Sequence, residues 1–437
     1  PLSPDATVVN LSRFRADVSR ALTRRGKNLL EAHNLPEQVA ALPPLEAYLI
    51  VKELGVDEAT PLLQHMTREQ VQTCVDLDCW DGDDFSAVEC DAWLAAFAQE
   101  GPESLARAFF GLDEELQVLF LAASVTVFDL RSEEEPVIPP ERAHMNTQDG
   151  FFTLVATAEE REVEPFVLIE ALYRQSIEEV FRMLTAAKWE TPTALGEEAF
   201  RFRSGRLEDL GFPSPEVAAK LFAPPPKVTP ACVPGVPGAV SLPALYASAM
   251  TQGCLFTRAM GRIGAAAVLE RLEGELVHLV NAAVVAYGES PRDLAHLTEI
   301  STRVRDTLSL GLEAVLSPDA PLPFTDGEDA AEKAAAVLGT WPLLHVFQRG
   351  AAEVRPVHGA ARALASDPVV AAWLNVTLAT DDDPERLDRA FLRALVLPRP
   401  LWSGFDPLRP EMTRAWASKK DIAATRARFD TLAARLV

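Results

Sequence analysis

A chain of 437 residues, 48% hydrophobic and 24% charged, is too long for one comfortable core, so two or three domains or one continuous superhelix are expected. A net charge of −23 disfavours nucleic acid and anionic membrane, whose phosphates need a concentrated basic surface. Five cysteines make no disulfide framework over this length, and an odd number suits a reducing compartment.

The charge is unevenly placed. Residues 1–30 carry six Lys plus Arg against two acids, and residues 384–437 carry eleven against six. Between them, Glu31 to Val137 holds 23 Asp plus Glu and only 4 Lys plus Arg. The basic ends are therefore expected to lie against acidic helices of the same or an adjacent molecule, with Arg20, Arg24, Arg25, Lys27, Arg426 and Arg428 as the contacts. The start holds no continuous apolar segment, so no signal peptide is expected. Leu116 to Leu130, the most apolar stretch, contains Gln117 and Ser124 and is too short to span a bilayer. A cytoplasmic protein without membrane insertion is expected.

From Leu35 to about Leu130 the sequence reads as short, capped, amphipathic helices. Leu42-Pro43-Pro44 opens one with proline in the first turn, where its missing N–H costs nothing, and Gly55 ends it. Asp57 is the candidate cap of the next, with Ala59, Leu62, Leu63 and Met66 on one stripe. Thr67 to Gln70 has the pattern of a capping box ahead of Val71, Cys74 and Val75. Leu105, Ala108, Phe109 and Leu112 form a further stripe, and Asp113, Glu114 and Glu115 put carboxylates at the positive end of the helix carrying Leu116, Leu119, Phe120 and Ala123. Ser124 to Leu130, the best strand candidate, reads as the end of that helix. Helices this short are unstable alone and must bury their stripes on their neighbours.

Downstream, Ser176 and Glu179 suggest a capping box before Val180, Phe181 and Leu184. Seven prolines from Pro224 to Pro243 mark an extended connector. Leu276, Leu279, Val280, Ala283, Val284 and Tyr287 predict a longer helix stopping at Gly288. Ser290-Pro291 is expected to start another containing Leu297, Ile300, Val304 and Leu308. The fold class expected is all-α, a superhelix or solenoid of short helical hairpins followed by a second helical domain. Its divisions are a basic arm (1–30), an acidic repeat domain (31–137), a helical continuation (138–223), the connector (224–243) and a C-terminal helical domain (244–437).

Residues 35–130 resemble the cytosolic N-terminal domain of bacterial magnesium transporters and, more remotely, the helical domains of flagellar motor switch proteins. The likeness rests on Leu42-Pro43-Pro44, Leu54-Gly55, Asp57-Glu58-Ala59 and Met66-Thr67-Arg68-Glu69-Gln70, and it implies a right-handed superhelix of short helices. The transporter's sensor domains and membrane part have no counterpart, so transport is not implied. As a whole the chain is similar to an uncharacterised bacterial domain-of-unknown-function family, on the blocks Leu210-Gly211-Phe212-Pro213 and Leu308-Ser309-Leu310-Gly311-Leu312-Glu313. That similarity implies no activity.

For chemistry, Asp76, Asp78, Asp81, Asp83 and Asp84 gather enough carboxylate oxygen around Trp80 to hold Mg²⁺ or Ca²⁺. The spacing is not that of an EF-hand, because Asp81 stands where glycine is required and Ala87 where the bidentate acid belongs. The competing reading is an acidic turn between helices that supplies their caps. Cys74, Cys79, Cys90 and His65 lack the spacing of a structural zinc site, and Cys74 falls in an apolar stripe. Gly261 and Gly264 miss the dinucleotide fingerprint. His278 and His345 have no nucleophile placed beside them, and no hydrolase elbow, phosphate loop, zinc-protease or kinase signature occurs. The expectation is a non-catalytic protein-binding scaffold or adaptor, not an enzyme and without a cofactor, with a protein partner or self-association. The alternatives are a divalent-cation-responsive regulator, or an enzyme with a pocket between the helical domains.

Overall fold

A computed structural model describes residues 24–132, 136–139, 141–157, 161–227, 242–251, 253–322, 327–375, 385–403, 406, 408–409 and 412–436. The chain is mostly helical, with helix packed on helix and little strand, as the apolar periodicity predicts. The described residues form two compact units, one within Ser19–Leu210 and one within Gly211–Val437. Arg20 and the proline-rich stretch 228–241 lie outside the described residues. Among the described residues no helix is long and apolar enough to cross a membrane.

In the first unit, Leu35–Ala40, Pro44–Leu54, Thr60–Leu63, Arg68–Asp78, Ala87–Ala98, Pro102–Phe109 and Glu114–Ser124 follow one another through short turns. Local chemistry sets their limits. Pro44 begins its helix, and Gly55 at φ 89° ends it in the left-handed region that glycine tolerates. Thr67 Oγ1 accepts the Gln70 N–H at 3.3 Å and Gln70 Oε1 accepts the Thr67 N–H at 2.8 Å, which completes the capping box. The Gln70 amide also donates to the carbonyls of Val39 and Leu42, fastening this helix to the turn between Leu35–Ala40 and Pro44–Leu54. Leu62, Leu63, Val71, Cys74, Val75, Leu105, Phe109, Leu116 and Phe120 are buried. Each large apolar side chain so buried contributes about 2 kcal/mol against the entropy of ordering the chain.

Three local expectations are corrected. Ser124 to Leu130 does not end a helix: the helix stops at Ser124, and Val125–Asp129 is an edge strand of a small antiparallel sheet with Phe152–Ala156 at its centre and His144–Asn146 beyond. The β-branched run Val125-Thr126-Val127 favours extended backbone, and its alternating burial matches one covered face. Asp57 does not cap the next helix, which begins at Thr60 after Ala59. Ser290-Pro291 does not start a helix; Asp293 does, its carboxylate accepting the N–H groups of Ala295 and His296.

Three helices complete the first unit: Pro165–Gln175, Ile177–Trp189 and Pro192–Asp209. Ser176 caps the second by accepting the Glu179 N–H at 3.3 Å. Arg25 reaches the Glu46 carboxylate, so one of the expected contacts of the basic arm with an acidic helix is present.

The second unit is organised around two helices of 23 residues, Leu294–Leu316 and Leu343–Ala365, which cross at a notch made by Gly311 and Gly350. A Cβ at Gly311 would stand 2.0 Å from the Val346 carbonyl oxygen, and one at Gly350 would stand 2.1 Å from that of Thr307. Only hydrogen fits on either side. Ala266–Tyr287 ends at Gly288, φ 74°, as its sequence predicts, and Leu297, Ile300, Val304 and Leu308 are buried. Arg386–Val396 and Lys419–Leu436 close the core, with Phe391 and Leu432 packed against Val357 and Leu374. Arg428 pairs with Asp388 and lies over the Phe391 ring.

Candidate functional site

Two of the five aspartates singled out in sequence, Asp76 and Asp78, are tied into the packing of the first unit. Asp76, 1% exposed, accepts hydrogen bonds from Arg206 Nε at 2.7 Å, Arg206 Nη2 at 3.0 Å and Gln72 Nε2 at 3.0 Å. Burial pushes its carboxyl above the usual range, and Arg206 holds it down. Arg206 Nη1 also reaches Asp113 and Glu115, each at 2.7 Å, so a single guanidinium gathers three carboxylates. Asp78 accepts from Lys52 Nζ at 2.7 Å, the Tyr48 hydroxyl at 3.1 Å and Trp93 Nε1 at 3.0 Å. Asp81, Asp83 and Asp84 are exposed on a hairpin that turns at Gly82, where Asp81 faces Asp84 across two short strands. The five do not converge. Among the described residues no group of three or more His, Cys, Asp or Glu is placed to hold a metal ion. Cys74, Cys79 and Cys90 are buried, and burial pushes the thiols of Cys74 and Cys79 up, keeping them protonated.

A more enclosed and more apolar site with room for a ligand lies in the second unit and was not singled out in sequence. A pocket of about 280 Å³ is lined along Leu343–Ala365 by Gly350, Ala351, Val354, Arg355 and His358. Their spacing puts them on one side of the helix, one turn after another. The glycine notch supplies the floor, because Gly350 and Thr307 belong to the close crossing described above. Phe222, Tyr287 and Trp416 supply aromatic walls, and Pro398, Arg399 and Pro400 form the remaining side. Phe222 meets the Tyr287 and Phe347 rings edge-on at 5.7 and 5.5 Å, which holds it upright. Trp416 is fixed by its indole N–H donating to Thr425 at 2.7 Å.

Four polar groups enter this apolar frame. Arg399 lies with its guanidinium carbon 4.3 Å from the Phe222 ring centroid, its Nε buried without a hydrogen-bond partner. Arg355 donates to the Phe222 carbonyl at 2.8 Å from an exposed position. Burial pushes the Tyr287 phenol up, against the opposing charges of Arg303 and Arg399, so it stays neutral. His358 is depressed below its usual 6.5 by burial first and by Arg362 second, while a hydrogen bond to the Leu397 backbone acts in the opposite sense. Its Nε2 is buried and has no partner. The depressed value leaves the imidazole neutral at pH 7.

That protonation state has a measurable consequence. In a pH titration followed by NMR, the His358 ring should titrate below 6.5. A depressed folded-state value means that the unfolded chain binds the proton more readily. The contribution of His358 to stability is thus complete above about 6.5 and is lost as pH falls through the folded value. Titration at or above 6.5 would contradict the buried, neutral ring.

The pocket draws on the 3₁₀ turn Ala219–Phe222, the end of Ala266–Tyr287, the two crossing helices and residues 398–400 and 415–416. Such separation hides it from any local motif. The readable signal was the small-residue stripe Gly350-Ala351 opposite Gly311, which announces close helix approach, with Arg355 and His358 at helical spacing beyond it. No curated protein and no solved structure matches the chain. Residues 5–436 match a family of unknown function, DUF6178, and the chain belongs to that family.

Proposed function

We propose that this protein is a non-catalytic adaptor whose C-terminal unit binds one small organic molecule. The observation that carries the reading is the pocket floored by Gly350 and Thr307, with three aromatic walls and a few fixed polar groups, which is the make-up of a small-molecule site at the lower end of the usual size range. Binding rather than catalysis is favoured by the lining. Thr307 commits its hydroxyl to the Arg303 carbonyl at 2.8 Å, Tyr287 is a neutral phenol, and no lining carboxylate stands by to activate a nucleophile. The acidic helices between Glu31 and Val137 fit a basic protein partner, which is the adaptor half of the proposal. A divalent-cation response would rest on Asp76 to Asp84, where Arg206 and Lys52 already neutralise two of the carboxylates, and it is the weaker proposal.

Titration calorimetry of the full chain with 1-naphthamide, an uncharged bicyclic probe, tests the binding half. Sub-millimolar binding is expected, and Ala351→Phe, which fills the pocket from Leu343–Ala365, should abolish it while the far-ultraviolet circular dichroism stays helical. Absence of binding to the unsubstituted chain, or undiminished binding to the variant, would refute it.

A further inference from the structure

The molecule taken by this pocket has a definite charge. We infer that it is an organic anion, an apolar body carrying a carboxylate, sulfonate or phosphate group that Arg399 holds, with Arg355 beside it. This rests on the pocket being a binding site, and adds the chemical class of the ligand.

The pairing of arginines elsewhere in the molecule makes the case. In a chain of net charge −23, carboxylates are abundant, and several arginines with little exposure pair with them. Arg161 pairs with Asp91, Arg206 with Asp76, Arg305 with Asp306 and Arg389 with Glu385. Arg399 departs from this pattern. Its guanidinium makes no ion pair among the described residues, its Nε is buried and unpartnered, and it stacks on the face of Phe222. The stacked ring offsets part of the cost of taking a cation out of water but offers nothing to the N–H donors along the rim of the guanidinium. The buried Nε–H left unmatched is costly, and Arg399, which lines the pocket, has its remaining N–H groups to offer an anion seated there.

Surrounding chemistry points the same way. None of the pocket's lining residues is acidic, and the two lining groups that could have carried a negative or a further positive charge, Tyr287 and His358, are held neutral by burial. Arg355 spends one donor nitrogen on the Phe222 carbonyl and has the rest of its fork to offer. The remaining walls, Leu310, Val354, Ala415 and Trp416, suit a hydrocarbon or aromatic body. A planar guanidinium favours two-point contact with a carboxylate or phosphate, which fixes the head group at the Arg399 side and leaves the body over the glycine floor.

The experiment compares probes that share one body and differ in the head: 1-naphthamide, 1-naphthoate and 1-naphthyl phosphate, titrated calorimetrically into the full chain at low ionic strength. One or both acids should bind at least about tenfold more tightly than the amide, and the tighter of the two identifies the head group. Arg399→Gln should bring acid and amide to within about twofold of each other, with an unchanged helical far-ultraviolet circular dichroism spectrum as the check that the variant is folded. Should Arg399→Gln fail to fold, Arg355→Gln, at an exposed position, should reduce the same preference. Equal binding of amide and acids overturns the inference while leaving the binding site in place. Failure of all three probes overturns the site itself. An acid preference that survives both substitutions overturns the assignment to these arginines.

Discussion

Gly311→Ala and Gly350→Ala are expected to destabilise the protein severely, although alanine is the better helix former. Either Cβ would lie about 2 Å from a carbonyl oxygen of the opposite helix: 2.0 Å from that of Val346 for Gly311, and 2.1 Å from that of Thr307 for Gly350. Those atoms are backbone, so no side chain can swing aside, and the two 23-residue helices must separate. Overpacking normally costs 1–3 kcal/mol, and a clash against main chain belongs at or beyond the upper end, about 3 kcal/mol. For a unit of this size the melting temperature should fall by about 6–12 °C. Gly350→Ala should also lose 1-naphthamide binding, since Gly350 is pocket floor. The comparison is Gly274→Ala in the middle of Ala266–Tyr287, where an added Cβ meets nothing within 4 Å. That change should stabilise by about 0.5–1 kcal/mol, because glycine loses more backbone freedom on folding than alanine. Thermal unfolding of the three variants should give opposite signs. Similar small shifts for all three would show that the helices do not cross as closely as described.

Arg161→Met should be nearly as damaging in the first unit. The side chains of Arg161 and Asp91 are 3% and 1% exposed, and the guanidinium also donates to Ser124 Oγ at 3.1 Å while its carbon lies 5.1 Å from the Phe120 ring centroid. Removing the cation strands a carboxylate with almost no access to water. Breaking a buried pair from one side costs about 3–5 kcal/mol, whereas replacing both partners with apolar groups is often neutral. The double variant Arg161→Met/Asp91→Leu should therefore recover most of the loss. Urea unfolding of the two variants provides the check, and a single-variant loss below about 1 kcal/mol would mean that water reaches the pair.

The helical plan was legible because it is local. The capping box at Thr67, the cap at Ser176 and the stops at Gly55 and Gly288 depend on residues within one helical turn, and the apolar stripes report a buried face whatever the neighbour is. The strand Val125–Asp129 was missed because it continues an apolar helix without a break, and only its central partner Phe152–Ala156 makes extension worthwhile. The partner of Asp76 was hidden for a related reason. Carboxylate density was visible, but the cation that answers Asp76 stands 130 residues away at Arg206 and belongs to a helix whose pairing no local pattern gives. The pocket lay furthest from view, since Arg399, His358 and Phe222 come together only after their three separate segments have packed.

The central claim is that the second unit binds a small organic anion between Leu343–Ala365 and residues 398–400. A crystal structure of the full chain with 1-naphthoate tests it most directly. The expected result is the naphthyl ring over Gly350 and Ala351 with its carboxylate on the Arg399 guanidinium. A pocket found empty, or a probe bound with its carboxylate turned away from Arg399, would contradict the account.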